Sequence, residues 1–217
     1  MTDFVYKREI MVDTQIRPSD VTKFPILDAM SIIPREIFVP RDKKEVAYIG
    51  ANLELDKNRV ILEPRTIAKI LDFLNISDDE LVLVIGSGLG YSAALISRLS
   101  EAVVALEDDQ PRVDESEELL REIGADNVIV EFGVLREGAP AHGPYDVILI
   151  EGAVQKIPDI LINQLKEDGR IACIFSKGEL GRVQIGFKKE KKINWKFLFN
   201  ANAPVLKGFE LERRFVL

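Results

Sequence analysis

The sequence predicts an α/β fold with a mostly parallel β-sheet and helices on both of its faces, and three observations support this prediction. Segments with helical spacing alternate with short apolar runs after residue 80, a strand and helix order typical of parallel sheets. A glycine-rich segment joins the first apolar run to the first of these helices. The runs themselves are continuously apolar, as in strands buried on both faces of a sheet: LVLVI, VVAL, VILI and IACIF.

The residue pattern changes near position 78, and we expect two parts within a single structural domain. Residues 1–78 are predicted to form an N-terminal helical accessory segment packed on the main domain, and residues 79–217 the α/β core. A chain of 217 residues has the length of one such domain with a single core. In the first part, helical spacing covers 20–30 and 64–74, and loops are predicted at PREIFVP and around 56–59.

Further signals mark individual elements of the second part. One helix is predicted to begin near Pro111, since proline is tolerated in a first helical turn, and to close at Gly124. The tail contains RVQIGFKK and WKFLFNA, separated by a short charged segment, which predicts two antiparallel strands joined by a loop. The basic cluster at 188–192 is expected to be a solvated turn.

Charge and hydropathy exclude two classes of partner. The chain carries 29 Lys and Arg against 36 Asp and Glu, so its net charge of -7 argues against nucleic acid. No apolar run approaches the roughly 20 residues that span a bilayer, which argues against a membrane. The N-terminus lacks the apolar segment of a signal peptide, and we therefore expect a cytoplasmic protein.

The chain has a single cysteine and a single histidine, which excludes several kinds of site. Cys173 is the only cysteine and lies in an apolar run, where a core position is expected. His142 is the only histidine, and we expect it in a solvated turn rather than in catalysis. An internal disulfide is therefore excluded, as are metal sites built from several cysteines or histidines, and no metal is predicted.

The glycine-rich segment IGSGLGY, residues 85–91, indicates nucleotide binding. Glycines between a strand and a helix allow a tight turn and bring backbone N–H groups close to a ligand. The next apolar run ends in Glu107, a carboxylate placed to accept hydrogen bonds from ribose hydroxyls. Tyr91 stands where a dinucleotide fingerprint has its third glycine, so S-adenosylmethionine is favoured over NAD, and an NAD-dependent oxidoreductase is the weakest hypothesis.

Several segments along most of the chain carry a family resemblance: IPREIFVP at 33–40, AY at 47–48, Pro64, IGSGLGYSAAL, VVALE, GPYDVILIEGA, IPDILINQLKEDGRI and the closing RRFVL. In this order they resemble the protein-L-isoaspartate O-methyltransferases. This resemblance implies a Rossmann-like class I S-adenosylmethionine-dependent methyltransferase fold, whose mostly parallel seven-stranded sheet has one antiparallel strand. It also implies that the N-terminal segment forms part of the acceptor cleft.

The resemblance further implies a cofactor, an acceptor and a set of site residues. The cofactor is S-adenosyl-L-methionine, the acceptor is an isoaspartyl residue of a damaged protein or peptide, and the role is protein repair. Glu107 is expected on the ribose with Asp108 beside it, and Gly133 near the adenine. The implied cofactor-binding residues are Gly86, Ser87, Gly88, Gly90, Glu107, Asp108 and Gly133, and the implied acceptor pocket is Ile61, Leu62 and Glu63.

Three positions differ from the usual pattern of that family. Val84 stands where a carboxylate commonly precedes the first glycine by two residues. Leu62 replaces the serine of G-x-T-I-S-x-P, which in the family sits by the reacting carboxylate. Phe132 and Val134 flank Gly133, where the family usually has an acidic residue next to the glycine. Two alternatives to isoaspartyl methylation therefore stay open: a methyltransferase with a different acceptor, and a non-catalytic module that binds cofactor or protein.

The nature of the acceptor determines whether a general base is needed. A carboxylate is already ionised at neutral pH and needs none, whereas an amine or hydroxyl does. Glu63 and Glu151 are the candidate catalytic residues, because the loops predicted at both positions face the cleft. Glu63 equally suits an anion at a helix N-terminus, and Glu151 equally suits a cap for the loop that follows it.

Overall fold

Nine strands and six α-helices lie within residues 3–178 and 180–211, the part of the chain that the computed structural model describes. The closing RRFVL segment lies outside the described residues. The strands are β1 Leu53–Asp56, β2 Arg59–Ile61, β3 Leu81–Ile85, β4 Ala102–Glu107, β5 Val128–Phe132, β6 Tyr145–Val154, β7 Leu165–Lys177, β8 Leu180–Lys189 and β9 Lys192–Asn200. The helices are α1 Phe4–Met11, α2 Phe24–Ile32, α3 Pro64–Leu74, α4 Tyr91–Ser97, α5 Gln110–Glu122 and α6 Asp159–Asn163.

Seven of the strands form one sheet in the order β5-β4-β3-β6-β7-β8-β9. Strands β3 to β7 are parallel, and β8 is antiparallel to both of its neighbours. The chain adds strands on one side of β3 and then returns to place β6 on the other side. Ligands bind beyond the carboxyl ends of strands at such a reversal. The predicted mostly parallel, seven-stranded sheet with one antiparallel strand is confirmed.

Hydrophobic clusters cover the two faces of this sheet. Leu95 of α4 lies in one cluster with Val84 of β3, and Leu161 of α6 lies in the other with Ile148 of β6. Helices therefore pack on both faces, as the sequence predicts. The continuously apolar runs are the strands β3, β4, β6 and β7, because each of these strands must bury both of its sides.

The N-terminal segment packs on the first of these clusters. Helix α3 turns one fully buried side inward, and Met11 and Met30 of the preceding helices join it in the cluster that contains Val84. Arg35 lies in the following loop region with no exposed surface. The buried residues of α3 at helical spacing are Ile67, Ile70, Leu71 and Leu74.

Residues 57–58 are the turn of a β-hairpin inside the predicted loop around 56–59, and the two strands of this hairpin are not predicted from the sequence. Strands β1 and β2 pair antiparallel in a separate two-stranded sheet, with Lys57 and Asn58 between them. The Asp56 carboxylate accepts a hydrogen bond from the Asn58 N–H at 2.9 Å, which supports the tight turn. The two strands have four and three residues, and neither contains a continuous apolar run. Pattern analysis therefore misses them.

The tail forms the predicted antiparallel pair, β8 and β9. Lys189 pairs with Lys192, and the two residues between them have φ values of 48° and 64°. Two consecutive left-handed residues form a hairpin turn whose twist matches that of the strands. Residues 189–192 are exposed, which confirms the solvated turn there, whereas Lys188 is half-buried.

Smaller predictions also have clear outcomes. Helix α5 has Pro111 in its first turn, and Gly124 follows the helix with a left-handed φ of 71°. Cys173 is buried, as expected. His142 lies in a turn that precedes β6, with its Nε2 2.9 Å from a carboxylate oxygen of Glu131 in β5.

Two features are absent from residues 3–178 and 180–211. These residues contain no helix that is long and apolar enough to cross a membrane. They also contain no cluster of three or more His, Cys, Asp or Glu side chains suited to a metal ion.

The buried side of α3 leads to a stability prediction. Leu71→Ala removes a side chain that is almost completely buried and leaves a cavity, so the free energy of unfolding should fall by about 2–5 kcal/mol. Leu180→Ala, the same change at a position that is 72% exposed, should cost less than about 0.5 kcal/mol. Urea unfolding of both variants measures the difference, and equal losses would contradict the packing described for α3.

Candidate functional site

The loop between β3 and α4 turns on three glycines. Gly86, Gly88 and Gly90 have φ values of 76°, 59° and 95°, a region that favours glycine. At Gly90 a side chain is also excluded by space, because a Cβ would stand 2.6 Å from Ser116 Oγ. The N–H groups of Gly86 and Ser87 both donate to the Leu106 carbonyl, at 2.9 and 3.2 Å. The loop is therefore held against the end of β4.

Glu107 is the last residue of β4, and its side chain has no exposed surface. Its carboxylate accepts hydrogen bonds from the N–H of Gly88 at 2.8 Å and from the N–H of Asp108 at 3.1 Å. The glycine loop and the acidic residue therefore meet, as the sequence predicts. A buried carboxylate requires such donors, because an unpaired charge removed from water is strongly disfavoured.

Arg59 is a further member of this site, and sequence analysis misses it. Its Nη1 and Nη2 atoms donate to the two oxygens of Glu107 at 2.8 and 2.5 Å, and Nη1 also donates to Asp108 at 3.0 Å. Burial acts to lower the pKa of Arg59, but hydrogen bonding and attraction to Glu107 outweigh it, so that pKa is raised. The pair lies 48 positions apart in sequence, and the only available signal is a basic residue in a turn region.

A cavity of about 440 Å³ opens beside Asp108 and Gly133. The Gly133 N–H donates to the Glu107 backbone carbonyl at 2.9 Å, which holds this wall next to the carboxylate. Phe132 and Val134 on either side of Gly133 are both more than half exposed. Apolar walls with a few polar groups suit a planar aromatic ring. The remaining lining residues are Leu135, Arg136, Lys207 and Gly208.

A comparison of the chain with known protein families agrees with the geometry of this site. A family model described as protein-L-isoaspartate(D-aspartate) O-methyltransferase matches residues 7–205. The chain belongs to this family.

Individual relatives support the assignment. A protein-L-isoaspartate O-methyltransferase of Methanoculleus marisnigri is 36% identical over 167 residues, which are 77% of this chain and 76% of the relative. One from Roseiflexus castenholzii is 34% identical over 169 residues, which are 78% of this chain and 77% of the relative. The similarity extends over about three quarters of each protein.

Solved structures of related proteins share the fold. A protein-L-isoaspartate O-methyltransferase structure superposes with a TM-score of 0.81 and 24% identity, covering 93% of this chain and 66% of that chain. A putative Plasmodium falciparum member in complex with S-adenosyl-L-homocysteine superposes with a TM-score of 0.79 and 19% identity, covering 92% and 98%. At these identities the superpositions show the architecture alone.

Two of the three residues predicted for the acceptor pocket are apolar. Ile61 and Leu62 lie two and three positions after Arg59, and both are buried. The Leu62 carbonyl accepts a hydrogen bond from Arg35 Nη2 at 2.9 Å, and Arg35 Nε donates to Ala47 at 2.8 Å. The backbone contact does not depend on the side chain at position 62.

Glu63 lies at the N-terminus of α3, between β2 and Pro64. Its carboxylate accepts a hydrogen bond from Thr66 Oγ1 at 2.7 Å, one turn into the helix, and lies 3.9 Å from Arg65. Its N–H donates to the Asn52 side chain at 2.8 Å. These contacts match the structural role considered for Glu63, an anion at a helix N-terminus.

Glu151 lies in β6 beside the glycine loop, with its carbonyl oxygen 3.5 Å from where a Cβ of Gly86 would stand. Its side chain is buried, and no described residue donates a hydrogen bond to its Oε2 atom. Burial raises the pKa of Glu151 to about 7, although the Ser92 hydroxyl and the positive charges of Arg59 and Arg35 oppose the shift. A carboxyl group of this kind changes its charge near neutral pH.

The glycine loop leads to a prediction with a matched control. Gly90→Ala and Gly124→Ala both place a side chain at a left-handed φ, but only Gly90 also has a neighbour in the way. We expect Gly124→Ala to cost about 1 kcal/mol and Gly90→Ala about 1–3 kcal/mol more. Denaturant unfolding measures both, and adding Ser116→Ala to Gly90→Ala should recover part of the loss. Equal losses for the two glycines would refute the close approach to Ser116.

Glu151 leads to a pH-dependence prediction. Between about pH 4.5 and 7 the folded chain keeps a proton on Glu151 that the unfolded chain has released. The contribution of Glu151 to the free energy of unfolding therefore falls as pH rises, by up to about 1.4 kcal/mol per pH unit. The stability of wild type minus that of Glu151→Gln should decrease by about 1–3 kcal/mol from pH 5 to pH 7. A difference that stays constant with pH would count against the raised pKa.

Proposed function

We propose that this chain transfers a methyl group from S-adenosyl-L-methionine to the carboxylate of L-isoaspartyl residues in proteins or peptides, in protein repair. The observation that carries the proposal is the meeting of the Gly86–Gly90 loop, the buried Glu107 carboxylate and the cavity at Gly133, in a chain of this family. The cytoplasmic location expected from the sequence stays a prediction.

The groups at the end of the sheet fit the proposed cofactor. The glycines let the loop turn tightly at a helix N-terminus, where backbone N–H groups can approach a ligand. The Ser87 hydroxyl is buried without a hydrogen-bond partner among the described residues. Asp108 and Gly133 border the cavity that suits the adenine, and Glu107 lies where ribose hydroxyls are expected. When bound, S-adenosylmethionine supplies an electrophilic methyl group on a sulfonium.

The main contribution of the protein is to position the acceptor and the cofactor. An isoaspartyl carboxylate is ionised at neutral pH, so no side chain has to remove a proton from it. The chain then contributes by orienting the acceptor toward the methyl group and by excluding water. We place the acceptor near Ile61, Leu62 and Glu63, because Arg59 in the same strand reaches the Glu107 carboxylate and so brings this strand end to the cleft.

A second candidate function, methyl transfer to an amine or hydroxyl, is favoured by Glu151. A buried carboxyl group with a pKa of about 7 and an oxygen without a hydrogen-bond partner suits a general base at neutral pH. Leu62 has no hydroxyl to offer an acceptor carboxylate. Under this second function Glu151→Gln abolishes transfer, whereas transfer to a carboxylate has no need of a base.

The test is a methylation assay with a matched pair of peptides. One peptide contains an isoaspartyl residue, and its control contains aspartate at the same position. With methyl-labelled S-adenosylmethionine we expect label in the isoaspartyl peptide alone, and on the order of hundredfold slower transfer by Glu107→Ala, through loss of ribose contacts. Binding of S-adenosylhomocysteine without any transfer to this peptide would contradict the proposal and favour another acceptor or a non-catalytic module.

A further inference from the structure

The carboxylate of Glu107 has its hydrogen-bonding capacity filled by protein groups. Oε1 accepts from Arg59 Nη1 at 2.8 Å and from the Asp108 N–H at 3.1 Å. Oε2 accepts from Arg59 Nη2 at 2.5 Å and from the Gly88 N–H at 2.8 Å. A carboxylate offers about four acceptor sites, two on each oxygen. No acceptor site is therefore left for a ribose hydroxyl while Arg59 stays in place.

The four hydrogen bonds to Glu107 come from donors in two separate parts of the structure. The two backbone donors belong to the glycine loop and to the end of β4, which are part of the main sheet. The other two come from one side chain on the separate β1–β2 hairpin. Its Nη2 atom also lies 3.3 Å from where a Cβ of Gly86 would stand, so the guanidinium covers the start of the glycine loop as well.

We infer that Arg59 competes with the cofactor's ribose for Glu107, so that cofactor binding requires the guanidinium to leave the carboxylate. This inference rests on the proposed function, since it concerns the same ribose site. Asp108 provides an anion for the displaced group, because it already accepts from Nη1 at 3.0 Å and is partly exposed. Arg59 thereby sets cofactor affinity from outside the main sheet.

The competition has a direct consequence for affinity. Binding to a site that is open for only a fraction of the time is weakened by that fraction. The Arg59 fork to Glu107 is bidentate, charge-assisted and buried, which are the conditions for a strong pair. Removing the competitor should therefore tighten cofactor binding, although the same change removes a positive charge from the protein.

The test compares two variants with the same loss of charge in the same hairpin. Arg59→Gln removes the fork, and Lys57→Gln removes an exposed charge two residues away. By calorimetry with S-adenosylhomocysteine, Arg59→Gln should bind about tenfold more tightly than wild type, and Lys57→Gln should match wild type. If wild type binds and Arg59→Gln binds equally or more weakly, this inference is overturned and the proposed function is not. If neither wild type nor Arg59→Gln binds, the proposed function fails as well.

A second measurement on the unmodified chain covers the case in which Arg59→Gln does not fold. Hydrogen exchange is followed with and without S-adenosylhomocysteine. Displacement of Arg59 predicts faster amide exchange in residues 53–61 and slower exchange in 86–91. The hairpin loses the Arg59–Glu107 contact, one of its ties to the rest of the fold, while the loop gains a ligand. Slower exchange in both segments would overturn the inference, because it would mean that the hairpin closes on the cofactor.

Discussion

The carboxylate of Glu107 is the group on which the arrangement of this end of the sheet depends. It is completely buried, and a charge removed from water is tolerated only when donors surround it. Those donors come from three parts of the chain: Gly88 in the glycine loop, Asp108 after β4, and Arg59 in the β1–β2 hairpin. One side chain thus ties a loop, a strand end and an accessory hairpin into a single geometry.

The topology of the sheet explains why these parts meet. Strand order reverses between β3 and β6, so the loop after β3 has a strand end on each side, β4 with Glu107 and β6 with Glu151. The β1–β2 hairpin also borders this crevice, although it is not part of the sheet. The hairpin is therefore the part of the site that the sheet does not position, and the Arg59–Glu107 pair connects it to β4, beside the Asp56–Arg112 ion pair that connects it to α5.

The sequence predicts most of the sheet and half of the site because those features have local signals. Continuous apolar runs mark the strands buried on both faces, and glycines at a strand end mark a loop close to a ligand. The β1–β2 hairpin has no such signal, since its strands are short and mixed in polarity. The partnership of Arg59 with Glu107 depends on tertiary structure across 48 positions, and no spacing rule reaches that far.

Two positions show how the chain differs from its family's pattern and still packs well. Val84 and Leu62 are apolar where a carboxylate and a serine are usual, and both lie in the hydrophobic cluster with α3 and α4. Burial lowers the pKa of Arg35, and the nearby Tyr91 and Glu151 act in the opposite direction. Besides Glu107, a buried carboxyl group stands on β6 at position 151, whereas position 84 on β3 is apolar. The Glu151 backbone carbonyl lies beside the first glycine of the loop, and the charge of its carboxylate acts on Arg59 in the same crevice.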